Sequence, residues 1–291
     1  MISDAELILN PDKSIYHLNL KPEHIAPTVI TVGDPNRVAK VSKYFDEIEF
    51  ETSKREFVTH TGRIGDKRLT VISTGIGTDN IDIVLTELDA LVNIDFDTRQ
   101  AKTEHTSLDI IRIGTSGGLG ESIPLESFVV SEYAVGIDGL MLFYQDNKSK
   151  EEAALLKDLS SYLQDRDFAF PIPLYVAKSG ADLSEKFSGD EWLRGITITA
   201  PGFYAPQNRY LRALPTIDDM FSVLDDFSYQ GMPISNLEME TSGIYGLANT
   251  LGHQALSLNG ILANRATGGF VKDPYKLEES LIKKALEIIV A

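Results

Sequence analysis

The sequence predicts an α/β fold on a largely parallel or mixed sheet, and three observations carry that expectation. Apolar runs of strand length alternate with apolar stripes at helical spacing. Glycine-rich turns stand at the ends of several apolar runs, where a strand hands over to a helix. No internal repeat and no low-complexity linker interrupts the alternation, so residues 1–291 are read as one domain.

The elements follow in order. Residues 27–32 read as a buried strand that Gly33-Asp34-Pro35 breaks, with Asp34 suited to cap a helix and Pro35 to open it. Val38, Val41 and Phe45 then recur at helical spacing. Residues 69–74 form a second strand and Gly75-Ile76-Gly77 a turn, followed by a helix face of Ile81, Val84, Leu85 and Leu88. A third strand at 109–113 is expected to end in a turn at 114–118. Residues 128–130, 172–177 and 196–200 read as further strands, with a helix marked by Leu155, Leu156, Leu159 and Leu163. Ile244, Leu247, Ala248 and Leu251 predict a helix that stops at Gly252; 255–263 predicts a strand and 277–290 a closing helix. The polar stretch 93–107 is long for a connection and is read as an insertion without structure of its own.

Composition narrows the function. Asp and Glu outnumber Lys and Arg by 43 to 27, a net charge of −16 that argues against sequence-independent binding to nucleic acid or an anionic membrane. With no cysteine, disulfide and thiolate chemistry are out, and five histidines without HxH or HxxxH pairing give no metal site. No basic and apolar leader is visible and no apolar run approaches the ~18 residues of a membrane span, so a cytoplasmic protein is expected.

Ligands in α/β sheets bind beyond the carboxyl ends of strands. Three such ends are glycine-rich, yet none has the GxxxxGK[ST] or GxGxxG spacing of triphosphate or dinucleotide sites. Arg112 lies inside the apolar run Ile110-Ile111-Arg112-Ile113, so it serves either an anion or a buried salt bridge. Arg37 stands in the first turn behind Asp34, where helix N–H groups favour an anion, and Thr115 and Ser116 add hydroxyl donors. Glu238 and Glu240 face one side of an extended segment, suiting vicinal sugar hydroxyls or a solvated acidic edge. Phe203, Gln207 and Arg209 gather a ring, an amide and a guanidinium in one loop, a set that can stack on and read a planar heterocycle.

Together these motifs resemble the uridine phosphorylases of the nucleoside phosphorylase superfamily. The resemblance runs through Ile15-Tyr16-His17-Leu18, Val32-Gly33-Asp34-Pro35-Asn36-Arg37-Val38, Arg55-Glu56-Phe57 and Ser73-Thr74-Gly75-Ile76-Gly77. It continues through Arg112-Ile113-Gly114-Thr115-Ser116-Gly117-Gly118, the loop Phe203-Tyr204 with Gln207-Asn208-Arg209-Tyr210, Glu238-Met239-Glu240 and Asn264-Arg265. It implies a three-layer fold with a central mixed sheet flanked by helices. It also implies that Gly33, Arg37, Arg112 and Thr115 bind phosphate, with Arg55 reaching that phosphate from a neighbouring subunit. Glu238, Met239 and Glu240 would hold ribose, with the neighbour's His17 near its 5′-hydroxyl. Phe203 would flank the base, Gln207 and Arg209 would read it, and Arg265 would support them. The implied reaction takes uridine or a related nucleoside and inorganic phosphate, with no metal or organic cofactor, in a homo-oligomer, dimer or hexamer.

Three departures from the family stand out: Ala205-Pro206 before Gln207 in place of Pro-Gly, Asn80 where some relatives carry a serine of a cation site, and the insertion. A purine nucleoside phosphorylase is the nearest alternative, and those commonly carry an aspartate where this chain has Asn264-Arg265. A non-catalytic nucleoside-binding member of the same fold is the other.

Overall fold

The computed structural model describes residues 1–145 and 148–291. The chain enters the sheet at β1 (Thr28–Val32), every residue of which is buried. Asp34 then accepts a hydrogen bond from Asn36 N and Pro35 opens α1 (Pro35–Ser42), as the cap and proline predict. Three antiparallel strands follow, β2 (Glu47–Lys54), β3 (Phe57–Ile64) and β4 (Lys67–Ser73). Helix α2 (Thr78–Asn93) buries the four apolar residues of its predicted stripe.

After the short strands β5 (Ile94–Asp95) and β6 (Gln100–Ala101) come β7 (Asp109–Gly118) and β8 (Phe128–Gly136). Then follow α3 (Lys150–Gln164), β9 (Tyr175–Lys178), α4 (Ala181–Lys186) and β10 (Trp192–Thr199). The last third holds α5 (Met220–Asp225), β11 (Ser228–Tyr229), β12 (Met232–Glu238) and α6 (Thr241–Leu251). It closes with β13 (Gln254–Asn264), β14 (Gly269–Phe270) and α7 (Pro274–Val290). Helix α6 stops where predicted, because Gly252 takes a φ of 80° that glycine adopts without strain.

The sheet is mixed, in the order β11-β12-β10-β8-β13-β7-β1-β4-β3-β2. Strand β12 also pairs with β7 at Asn236 and Leu237, so β7, β13, β8, β10 and β12 close on themselves. Helices cover the sheet in separate clusters: α2 and α6 share Ile81, Leu85, Ile244 and Leu247, while α1 and α7 share Val38, Val41, Leu281 and Ile282. Each such side chain contributes roughly 1.5–3 kcal/mol by leaving water. Among the described residues no helix is long and apolar enough to cross a membrane.

Three expectations are corrected. Residues 114–118 are not a turn: they extend β7, because β13 runs parallel beside them from Asn259↔Gly114 to Asn264↔Gly118. Gly114 is there for room, since a Cβ on it would stand 2.0 Å from Arg112 Nη1. The strand expected at 172–177 begins only at Tyr175, where pairing with β8 starts. The insertion has structure after all: β5 and β6 form a tight hairpin. Arg99, the last residue of the turn between them, donates from Nε to Ile2 O and from Nη2 to Ser3 O, both at 2.9 Å, tying the hairpin to the N-terminal segment.

Candidate active site

A cavity of about 550 Å³ opens where the ends of β1, β4, β7 and β12 converge. The mixed sheet brings these ends together from distant parts of the chain, which is why residues of 33–37, 112–117, 203–209 and 237–240 share one space. Gly33, Arg37, Arg112, Thr115, Glu238, Met239, Glu240, Phe203, Gln207 and Arg209 all line it.

At one end lie two arginines with different tethers. Arg37 donates from Nη1 to Ile113 O at 3.3 Å and pairs through Nη2 with Glu278 Oε2 at 3.0 Å. Its Nε is buried with no protein partner, an unsatisfied donor that a bound anion would satisfy. Arg112 donates from Nη1 to Asn259 Oδ1 at 2.9 Å and from Nη2 to Glu240 Oε2 at 2.6 Å, with Glu238 Oε2 3.3 Å away. Of the two readings of Arg112, the structure shows the buried salt bridge, and the same side chain also lines the cavity. A guanidinium has five N–H donors, so its two hydrogen bonds leave others for a ligand. Burial works against its charge, but the carboxylates of Glu238 and Glu240 outweigh that and hold its pKa above the ordinary arginine value.

The two carboxylates are held rigidly. Glu238 ends β12 and its side chain turns back onto the start of α6, accepting from Glu240 N, Thr241 N and Thr199 Oγ1 at 2.7–3.1 Å. Glu240 accepts from Gly77 N at 2.9 Å on its free side. Burial raises the Glu238 carboxyl above its ordinary pKa; Arg112 opposes the rise and the neighbouring charge of Glu240 adds to it. They are not a solvated acidic edge, being 4% and 5% exposed.

At the other end a loop after β10 folds over itself. Arg209 donates to Gln207 Oε1 and to Phe203 O, and its guanidinium lies 4.2 Å from the centre of the Phe203 ring. Arg265 stands behind the loop, outside the cavity lining, donating to Gln207 O at 3.2 Å and Asn208 O at 3.0 Å. It supports the loop through its backbone rather than by touching the Gln207 side chain. Burial, and for Arg209 also the charge of Arg265, lowers both guanidinium pKa values, though an arginine stays charged. This end of the cavity is thus electropositive.

His17 and Arg55 are not in the cavity. They lie together on another surface, where the Tyr16 ring packs edge-on to His17 at 4.8 Å and faces the Arg55 guanidinium at 5.9 Å. Arg55 is exposed, at the tip of the β2–β3 hairpin with a φ of 56°. Asn80 donates to Glu56 Oε1 at 3.2 Å. Among the described residues no group of three or more His, Asp or Glu converges as a metal site would.

Sequence reasoning missed Asn259 and Glu278, the partners of Arg112 and Arg37. A signal existed for Asn259: it is the one amide inside the otherwise apolar and small-residue run 255–263, as Arg112 is the one charge in its own. Glu278 gives none, since an acid early in an amphipathic helix is ordinary. Phe270 and Ala263 also line the cavity, brought there by the β13–β14 hairpin.

The strand-end cavity thus gathers two arginines, a carboxylate pair and a loop with a ring, an amide and a guanidinium, and comparison with family models says which class of protein carries it. Residues 27–291 match the phosphorylase superfamily, and the chain belongs to it. It is 28% identical over 279 residues to a uridine phosphorylase of Thermococcus kodakarensis, covering 94% of this chain and 86% of that one. It is 25% identical over 273 residues to a DeoD-type purine nucleoside phosphorylase of Colwellia psychrerythraea, covering 94% and 96%. A solved Trypanosoma brucei nucleoside phosphorylase, described as showing uridine phosphorylase activity, superposes with a TM-score of 0.85 at 29% identity, covering 98% and 99%.

Proposed function

We propose that this chain is a uridine phosphorylase, transferring the ribosyl group of uridine to inorganic phosphate and releasing uracil and ribose 1-phosphate. The observation that carries the reading is the order of chemistry along one cavity. Arg37 reaches Ile113 beside Arg112, Glu238 and Glu240 are paired to Arg112, and Arg209 with Gln207 stands further along β7, beside Gly117.

Breaking the N-glycosidic bond moves negative charge onto the base and positive charge onto the sugar. Arg209 and Gln207, preorganised by Arg265, stabilise the departing base anion, which takes its proton after release. Glu238 and Glu240 accept hydrogen bonds from the ribose hydroxyls. A phosphate oxygen held by Arg37, Arg112, Thr115 and the Gly33 backbone attacks the anomeric carbon, in a site that holds both reactants in contact. Inorganic phosphate is a co-substrate, and the reaction so written uses no metal or organic cofactor. His17 and Arg55 complete the site from a neighbouring copy, so the active form is a homo-oligomer, and the enzyme works in the cytoplasm on a soluble nucleoside.

The amide of Gln207 and the charge of Arg209 suit the carbonyl and imide edge of uracil. Relatives named for purine nucleosides make the base the point to test. Base release from uridine, thymidine, inosine and adenosine is measured with and without phosphate. Uracil release that requires phosphate is expected; release from inosine or adenosine alone would move the chain to the purine class.

A further inference from the structure

The segment that carries His17 is gripped from two sides. Glu87, in the middle of α2, accepts from His17 N at 3.1 Å with each carboxylate oxygen and from Leu18 N at 2.9 Å, and its Oε1 lies 2.7 Å from His17 Nδ1. From the other side Lys54 donates to Tyr16 O and, at 3.0 Å, to Asn10 Oδ1. Glu87 has no helical reason to be where it is: Val84, Ala90, Ile83 and Leu91 occupy the positions three and four residues away, so no ion pair along α2 uses it. Its hydrogen bonds go to the N-terminal segment.

We propose that Glu87 is a positioning residue for the reaction, orienting His17 toward the ribose 5′-hydroxyl of a nucleoside bound by a second copy of the chain. This rests on the reading of His17 as a contributor to a neighbour's site. A carboxylate only accepts hydrogen bonds, so the proton of this pair sits on Nδ1. Nε2 is then the free edge, able to hydrogen-bond to a hydroxyl. The geometry has the form of a base held by an orienting acid, with the ring fixed both through Nδ1 and through the backbone on either side of it. The exposures agree: the Glu87 side chain is 13% exposed, while the imidazole keeps 25% of its surface open.

A merely structural anchor would affect every substrate alike, so the test compares uridine with 5′-deoxyuridine, which lacks the hydroxyl. Steady-state phosphorolysis of both is measured for the full-length protein, His17→Ala, Glu87→Ala, Glu87→Gln and the double variant His17→Ala/Glu87→Ala. His17→Ala and Glu87→Ala are each expected to lower kcat/KM for uridine by roughly tenfold, mainly through KM, the scale of one lost hydrogen bond. Both should leave 5′-deoxyuridine within about twofold, and the double variant should be no worse than His17→Ala alone, because the two residues act as one unit. Glu87→Gln keeps one acceptor for the backbone N–H groups, so a smaller loss confined to uridine is expected, and it carries the comparison if Glu87→Ala does not fold. Equal losses on both substrates for His17→Ala would overturn the reading of His17 and the proposal with it. A uridine-selective His17→Ala beside Glu87 variants that are harmless, or that impair both substrates equally, would overturn the role of Glu87 alone.

Discussion

Arg112 is ion-paired with two buried carboxylates and also lines the cavity. An arginine inside an apolar strand signals that something anionic must meet it, but the strand alone does not say whether that is a protein carboxylate or a ligand. Here Glu238 and Glu240 converge on it, and removing it leaves two buried acids facing each other. Arg112→Ala should therefore abolish phosphate-dependent turnover, by at least ~10²-fold, and also destabilise the fold by about 3 kcal/mol near neutral pH. The stability loss should depend on pH. Glu238 already has a raised folded pKa, and a carboxyl of that kind stabilises the fold below its unfolded pKa and loses that contribution as pH rises through the folded value. Without the cation the folded value rises further, so the gap between variant and native protein should widen from pH 4 to pH 8 in urea unfolding. A pH-independent gap would mean that water, not Arg112, neutralises the pair.

Elements with one apolar face were legible, and those whose interior is polar were not. The stripe of α2 stands in the sequence at helical spacing and is buried in full, and those of α3 and α6 are buried but for the half-buried Leu156 and Leu251. Strand β12 was seen only as an extended piece around Asn236, because Ser235 and Asn236 are buried polar residues satisfied by Ile196, Thr197 and Ser116. No local pattern announces such partners. Strand β2 escaped for the opposite reason: it is an edge with no buried residue, and its Glu-rich sequence reads as surface. The glycines of β7 looked like a turn, since a glycine cluster signals one when nothing is known of the neighbouring strand. Their role is now testable. In Gly114→Ala the new Cβ would collide with Arg112 Nη1, and the flanking pairing with β13 prevents the backbone from moving aside. Turnover should fall by roughly 10²-fold, the usual effect of a misplacement near 1 Å, with thermal stability falling less than in Arg112→Ala. Near-native turnover would show that the guanidinium reaches its working position by another path.

At the scale of the whole molecule, the proposed reaction requires a chain of net charge −16 to draw phosphate into one place, and the placing of its arginines suits focusing: Arg37, Arg112 and Arg209 line a single cavity with Arg265 just behind. Ten of the thirteen residues singled out from the sequence line that cavity, and Arg265 backs it. The remaining two, His17 and Arg55, lie beside Tyr16 on another surface. Their separation from the cavity and their closeness to each other are what a two-fold pairing of copies would require if each copy lent both to its partner. That arrangement predicts complementation. Arg55→Ala would lack the lent cation, and Gln207→Ala would lack the base-reading amide, so each variant alone should be nearly inactive. Mixed and allowed to exchange subunits at random, half of the pairs would contain one of each, and each mixed pair would hold one site with both residues intact. Activity should then recover to roughly a quarter of native, rising with the time allowed for exchange. Failure to recover, with exchange verified by mass, would place Arg55 in its own subunit's chemistry or outside the reaction altogether.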